Sequence, residues 1–168
     1  MRLINCLALF VCVLLPTFAF SKVPLKVGDL APNYLGRDES GNKVLLEDNK
    51  GKVVVISFWA SWCTPCLKEL PILESIQNKV GIDKIKVVAV NYKESVKQYR
   101  KIKNKFKNLD LTLTHDKRGN IGKKYGIKAI PTLIIIGIDG NVALYKLGYN
   151  ESSVEDVIGV LNIQLAKT

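Results

Sequence analysis

Two cysteines three positions apart, Cys63 and Cys66, are the residues of this chain best suited to chemistry. Their spacing allows the two thiols to form a disulfide, and a cysteine at the start of a helix can be held as a thiolate. Thr64 and Pro65 separate them, and Trp62 precedes them. A Cys-x-x-Cys pair that follows a buried strand and opens a helix indicates redox chemistry rather than a metal site.

The elements on either side of the pair predict how it is positioned. The apolar, β-branched run at residues 53–59 predicts a buried strand, and residues 64–79 predict a helix. Pro65 falls in the first turn, where a missing N–H costs little. Cys63 would then lie at the helix N-terminus, whose free N–H groups and dipole favour a thiolate nucleophile. Cys66, one turn further in, would be more buried and would resolve a mixed disulfide.

The rest of the chain alternates strand-like and helix-like patterns. The predicted elements after residue 79 are a strand at 85–91, a helix at 94–107, a strand at 111–114, a helix at 121–125, strands at 132–136 and 142–147, and a helix from about 152. Early strand–helix alternation implies parallel strands, and the hairpin signal at Asp139-Gly140 adds antiparallel ones. We expect an α/β fold in which a mixed central sheet is flanked by helices.

The first 21 residues have the layout of a secretory signal peptide. Arg2 opens the chain, residues 6–15 are apolar, Pro16 interrupts them, and small residues follow at cleavage spacing. An uncleaved membrane anchor is the alternative, because the whole stretch approaches spanning length. We expect one domain at residues 22–168. Cleavage would leave two of the four cysteines, the paired ones, which suits an oxidising compartment.

Composition excludes several classes of function. The chain carries 25 basic and 15 acidic residues, for a net charge of +10. A basic exported protein could favour anionic partners or membrane surfaces, but no nucleic-acid motif is present and no such partner is expected. Structural zinc needs four ligands, whereas the exported chain would offer two cysteines and His115. No metal site is therefore expected.

Several separated motifs resemble one family in order and spacing. Residues 58–66 resemble a thioredoxin active site, Pro71 stands at that family's helix-kinking proline, and residues 125–132 resemble its cis-proline segment. Residues 28–32, the hairpin around Gly41, the extra helix near 94–107 and Glu69 resemble the exported TlpA/ResA-type, AhpC/TSA-redoxin-like branch. The resemblance implies a thioredoxin-like fold with an N-terminal hairpin extension and a central helical insert.

The resemblance also implies roles for residues around the thiols. Pro131 would be the cis-proline, and Ile130 would present its backbone to a substrate strand. Trp62 would shield the thiols and contact substrate. The acid and the lysine of thioredoxin's proton relay fall at Ser57 and Val90 here, so that relay is absent. A glutamate at the position of Glu69 resembles a substitute acid near the thiols.

The expected activity is reduction of protein disulfides outside the cytoplasm. Neither Thr64 nor Pro65 adds charge that would stabilise the Cys63 thiolate, so the dithiol should be the better reductant. Ile130 before the proline also resembles reducing thioredoxins. The resemblance implies exported substrates such as apocytochrome c and a membrane electron donor of thiol type. No cofactor is expected beyond the redox-active disulfide.

Two other classes of function remain open from the sequence. The N-terminal extension resembles peroxiredoxins, which would make the protein a thiol peroxidase-like antioxidant. Peroxiredoxins have a pocket formed by Thr and Pro before the reactive cysteine, whereas residues 60–62 of this chain are Ala, Ser and Trp. A non-catalytic chaperone or binding module is the other alternative, and it would keep its function without Cys63.

Overall fold

The structure is a computed structural model that describes residues 25–150 and 152–167. The predicted signal peptide or anchor at residues 1–21 lies outside the described residues. The strands and helices, in chain order, are β1 (Tyr34–Arg37), β2 (Lys43–Leu45), β3 (Val53–Trp59), α1 (Thr64–Val80), β4 (Ile85–Tyr92), α2 (Val96–Lys103), β5 (Thr112–Asp116), α3 (Asn120–Lys124), β6 (Thr132–Ile136), β7 (Val142–Leu147) and α4 (Ser152–Leu165).

The mixed central sheet is confirmed. Its five strands lie in the order β5-β4-β3-β6-β7, with β3 parallel to β4, β4 parallel to β5, and β6 antiparallel to both β3 and β7. Strands β1 and β2 form a separate antiparallel pair, the predicted hairpin extension. Every residue of β3 is buried, as expected for a central strand covered on both faces.

The alternation of side chains along β3 divides the core between the two faces of the sheet. Val54, Ile56 and Phe58 pack in a cluster with Tyr125. Val55 and its neighbours on the other face pack with residues of α1 and α4. Because successive strand residues point to opposite faces, Ser57 lies on the α1 face. This placement brings a hydroxyl to the same side of the sheet as the active-site helix.

The predicted helix at 94–107 is shorter than expected, and the reason is its N-cap. The Ser95 hydroxyl accepts a hydrogen bond from the Gln98 N–H at 3.2 Å, and the Gln98 side chain accepts from the Ser95 N–H at 3.1 Å. This capping box starts α2 at Val96. After Lys103 the chain continues in tight turns, with Phe106 N–H donating to the Lys103 carbonyl. The ends of the predicted helix were therefore wrong, while its core was right.

The sheet topology gathers chain segments at one edge. The carboxyl ends of parallel β3, β4 and β5 meet there, and antiparallel β6 begins there, since Phe58 pairs with Thr132. Cys63 follows β3, and Pro131 directly precedes β6.

Within the part of the chain that the structure describes, no helix is long and apolar enough to cross a membrane.

Candidate active site

The two cysteines form a disulfide at the start of α1. Their Cα atoms are 5.3 Å apart, and Cys63 is the N-cap residue of the helix. The Cys66 backbone N–H donates to the Cys63 Sγ at 3.3 Å. Pro65 lies in this first turn and has no N–H of its own. An N–H aimed at Sγ is the contact that would stabilise a negative charge on Cys63 once the disulfide is reduced.

The two sulfur-bearing residues differ in exposure. Cys63 is 4% exposed, whereas Cys66 is fully buried. Both pack in an apolar cluster with Leu70, and the partly buried Ile130 packs against that cluster. Trp62 is 69% exposed and lies beside the pair, so the apolar cover of the sulfurs comes from the cluster. A reagent that approaches from solvent therefore meets Cys63 before Cys66.

The segment before β6 lies against the disulfide. The Ile130–Pro131 peptide bond is cis, as the resemblance implies. The segment is held by the Thr132 hydroxyl, which donates to the Ala129 carbonyl at 2.7 Å, and by the Gly148 N–H, which donates to the Pro131 carbonyl at 2.8 Å. These bonds fix the backbone next to Ile130, where an incoming strand would be received.

Glu69 is a buried carboxyl rather than a surface one. It is 3% exposed, and its Oε2 accepts a hydrogen bond from the Ser57 hydroxyl at 2.8 Å. Burial raises the pKa of Glu69 from its ordinary value of 4.5 to about 7, although the bond from Ser57 lowers it in part. Such a group exchanges a proton easily near neutral pH. Glu69 lies one helical turn after Cys66.

The two positions of the missing relay behave differently in the structure. Ser57 supplies the hydroxyl that anchors Glu69, whereas Val90 is buried in the apolar cluster on the opposite face of the sheet. The buried acid of this protein, Glu69, thus lies on helix α1, whereas the relay acid would have been on strand β3 at the position of Ser57. It still enters the space between β3 and α1.

Glu94 is a second buried acid at the site, whereas its sequence pattern predicted only a place in a helix. It is 4% exposed. Its carboxylate accepts hydrogen bonds from the Ser61 N–H at 2.7 Å, the Ser61 hydroxyl at 2.5 Å and the Asn91 side-chain amide at 2.6 Å. Because Ser61 is two residues before Cys63, Glu94 fixes the loop that carries the nucleophile. The Ser95–Gln98 capping pair was the available signal that Glu94 precedes the helix.

His115 lies in β5 and contacts the same region. Its Nε2 is 2.9 Å from the Glu94 carbonyl oxygen, and its ring stacks on Tyr99 with centroids 4.5 Å apart. Across the described residues, no group of three or more His, Cys, Asp or Glu side chains could hold a metal ion. The Cys63–Cys66 pair is the redox-active group at this edge of the sheet, and Glu94 and Asp116 are buried acids of the neighbouring segments.

Comparison with known proteins assigns the class. The profile of the Redoxin family matches residues 26–161. The thioredoxin-like protein YneN of Bacillus subtilis is 36% identical over 79% of this chain and 78% of its own length. The thiol-disulfide oxidoreductase ResA of Bacillus subtilis is 30% identical over 83% of this chain and 78% of its own length.

Solved structures agree with the sequence relatives. A candidate thiol:disulfide interchange protein DsbE from Chlorobium tepidum superposes with a TM-score of 0.76 and 31% identity, over 84% of this chain and 99% of that chain. StoA from Bacillus subtilis superposes with a TM-score of 0.62 and 28% identity, over 77% of this chain and 96% of its own. The expected thioredoxin-like fold is confirmed.

Fold, disulfide and relatives together define a thioredoxin-like thiol-disulfide oxidoreductase. The chain belongs to the Redoxin family.

Proposed function

We propose that this protein reduces disulfides of proteins outside the cytoplasm, with Cys63 as the nucleophile and Cys66 as the resolving thiol. The observation that carries the proposal is the Cys66 N–H aimed at the Cys63 Sγ at the helix start. The same contact that caps α1 favours the thiolate at Cys63 over one at Cys66, because only Cys63 has its sulfur at the helix terminus.

The reaction is thiol–disulfide exchange in two displacements. The Cys63 thiolate attacks one sulfur of the substrate disulfide, which forms a mixed disulfide and releases the other substrate sulfur as a thiolate. The Cys66 thiolate then attacks the Cys63 Sγ and releases the second substrate sulfur. Two electrons pass to the substrate, which gains two thiols after protonation, and the Cys63–Cys66 disulfide of this structure is the oxidised product.

Glu69 handles a proton in the second displacement. Cys66 is fully buried and must lose its proton before it attacks. Glu69, whose pKa is about 7, is partly ionised at neutral pH, so its carboxylate can accept that proton and become neutral. Because Glu69 would act on Cys66, its effect should fall on resolution rather than on the first attack by Cys63.

The substrate strand would be received at the cis-proline segment. Ile130 and Pro131 lie directly before β6, next to the cluster that contains both cysteines. An extended peptide laid along Ile130 could pair with its backbone in strand-addition style. Trp62 is exposed beside the disulfide and offers an aromatic surface to the same peptide.

The proposed direction is reductive. Thr64 and Pro65 place no cation between the cysteines, so the reduced form lacks the thiolate stabilisation of strong oxidants. The Cys63–Cys66 disulfide would then be harder to reduce than the disulfide of a strong oxidant. A dithiol that acts as a reductant becomes a disulfide and must be reduced again after each cycle. A thiol-type electron carrier in the membrane would supply these electrons outside the cytoplasm.

The N-terminal pattern and the relatives support the proposed location and substrate class. Residues 1–21 would export the chain as a signal peptide or hold it as an anchor, which leaves the thioredoxin-like domain at 22–168. The relative ResA is a thiol-disulfide oxidoreductase, which supports disulfide exchange as the reaction. The resemblance to the exported TlpA/ResA-type branch suggests disulfides of exported proteins as targets, with apocytochrome c as one candidate substrate. The protein's own disulfide serves as the redox centre, and no other cofactor is proposed.

Trapping of mixed disulfides tests the function. The Cys66→Ala variant can attack a substrate but cannot release it, so substrates should accumulate as covalent adducts in fractionated cells. The matched control is the double variant Cys63→Ser/Cys66→Ala, which lacks both active-site thiols. Extracytoplasmic proteins captured only with Cys63 present support the proposal. Adducts independent of Cys63, or adducts with cytosolic proteins alone, would contradict it.

A further inference from the structure

The loops around the disulfide expose charge of one sign. These loops are the residues after β3, β4 and β5 and the segment before β6. Their exposed charged side chains are Lys93, Lys117, Arg118 and Lys128, hereafter the basic rim. The acids of the same region do not offset it at the surface, because Glu94 and Asp116 are both buried.

Hydrogen bonds tie these loops to the active site. The Ser61 N–H donates to Glu94 at 2.7 Å, which joins the Cys63 loop to the loop after β4. The Lys93 N–H donates to the Asp116 carbonyl at 3.0 Å. The Tyr92 hydroxyl lies 3.5 Å from the Ile127 carbonyl, on the approach to the cis-proline. The basic rim therefore borders the disulfide on a connected framework.

Lys93 is a fixed cation. It is the only non-glycine residue with a positive φ in the described part of the chain, at 56°. Its Nζ lies 5.1 Å from the centroid of the Tyr92 ring, within cation–π range. Its side chain passes over Gly119, where an added Cβ would come within 2.5 Å of the Lys93 Cε. The Tyr92 ring therefore contacts the ammonium, and Gly119 leaves the space through which the Lys93 side chain passes.

The rim cations are available to a partner. Among the residues that the structure describes, the ion pairs are Lys103 with Glu39 and Lys146 with Asp156, and neither involves the rim. An exposed ammonium that is not engaged in an ion pair can bind a carboxylate, and contact with the Tyr92 ring leaves Lys93 less side-chain freedom to lose.

We propose that the basic rim selects target disulfides whose cysteines are flanked by aspartate or glutamate. This inference rests on the proposed function and names its substrate class. A peptide placed along Ile130 lies near the loops after β4 and before β6. Lys93 and Lys128 directly follow Tyr92 and Ile127, the residues that join these two loops. A polypeptide is favoured over an anionic bilayer because a flat lipid surface seated on the rim would cover Cys63, whereas a peptide must reach it.

Rates with matched peptide disulfides test the inference. One peptide has glutamate on both sides of its cysteine and the other has glutamine, and each is used as its oxidised homodimer with the reduced protein. Dividing each rate by that of the same peptide with 2-mercaptoethanol removes differences in intrinsic reactivity. At about 0.02 M salt we expect the acidic peptide to react about tenfold faster, and at about 0.5 M salt this preference should shrink to less than about twofold.

Charge variants locate the effect. Lys93→Gln/Lys128→Gln should reduce the acidic-to-neutral ratio towards one. The control Lys50→Gln/Lys84→Gln removes the same charge from exposed sites before β3 and β4, at the opposite edge of the sheet, and should keep the ratio. A substitution at Lys93 can disturb its loop because of the positive φ there. The single variant Lys128→Gln leaves that loop unchanged and should still lower the acidic-to-neutral ratio.

The outcomes separate this inference from the proposed function. If neither peptide is reduced, the proposed function fails as well. If both are reduced with equal normalised rates, or if the control lowers the ratio as much as the rim variant, the rim inference alone is overturned. Binding of the protein to phosphatidylserine vesicles that is lost in the rim variant, without peptide discrimination, would overturn it in favour of a membrane.

Discussion

The Ser57 hydroxyl donates a hydrogen bond of 2.8 Å to the Glu69 carboxylate and so joins the centre of β3 to the active-site helix. Both residues are buried. Burial raises the pKa of Glu69 to about 7, and the bond from Ser57 opposes that rise. The serine therefore keeps the acid within reach of neutral pH, where a proton acceptor for Cys66 is useful.

Glu69→Gln should change how the stability of the oxidised protein depends on pH. The folded-state pKa of Glu69 is raised from 4.5 to about 7, so the native state retains a proton that the unfolded state loses. The free energy of unfolding should therefore fall as pH rises from about 4.5 to 7, by on the order of 3 kcal/mol. The glutamine variant should lack this fall. Urea unfolding at several pH values measures it.

The control for that experiment is Glu155→Gln, which removes an exposed carboxyl from α4. It should keep the pH dependence of the unmodified protein. A Glu69→Gln protein whose stability falls as steeply between these pH values would show that Glu69 is ionised throughout.

Ser57→Ala should raise the pKa of Glu69 above about 7, because the bond that lowers it is lost while the burial stays. The midpoint of the Glu69 carboxyl titration, followed by carbon-13 NMR in the oxidised protein, would move to higher pH. A midpoint that stays in place or moves down would show that the hydroxyl does not stabilise the carboxylate.

Glu94→Ala should destabilise the fold and loosen the active-site loop. The substitution leaves the Ser61 N–H and the Asn91 amide without their acceptor in a buried site. The expected loss is about 1–3 kcal/mol. Hydrogen exchange at the Ser61 amide should become faster as well. The control is Lys97→Ala, on the exposed face of α2. Equal losses of stability in both variants would show that the hydrogen bonds of Glu94 to Ser61 and Asn91 do not stabilise the loop.

Alkylation of the reduced protein should label Cys63 first. Cys63 is at the helix terminus with its sulfur facing a backbone N–H, whereas Cys66 is fully buried. With limiting iodoacetamide at neutral pH, peptide mapping should find most of the label on Cys63. Preferential labelling of Cys66 would reverse the proposed roles of the two thiols.

Local patterns predicted most of the elements. The runs at 53–59, 132–136 and 142–147 coincide with β3, β6 and β7. The first two are short, mostly apolar and rich in β-branched residues, and the third follows the Asp139-Gly140 turn, which predicts a hairpin. The helix at the cysteines was predicted to within one residue at each end. The long helix at 94–107 was overestimated because the competing Ser95 cap decides where α2 begins.

The site was predictable only where sequence neighbours define it. Cys63 and Cys66 follow from their spacing together with the strand pattern before them and the helix pattern after them. The partnership between Ser57 and Glu69 depends on which face of β3 packs on α1, and the contact of Glu94 with Ser61 joins residues 33 positions apart. Such pairings arise from the register of the sheet and the packing of the helix on it, which no local pattern encodes.

The reduction potential of the Cys63–Cys66 couple tests the central claim most directly. Equilibration of the protein with glutathione buffers, with the thiols quantified by alkylation, gives the value. A reductant of protein disulfides should lie below about −200 mV, towards the thioredoxin value of about −270 mV. A potential near −120 mV, the value of a strong oxidant, would contradict the account and make the protein a donor of disulfides.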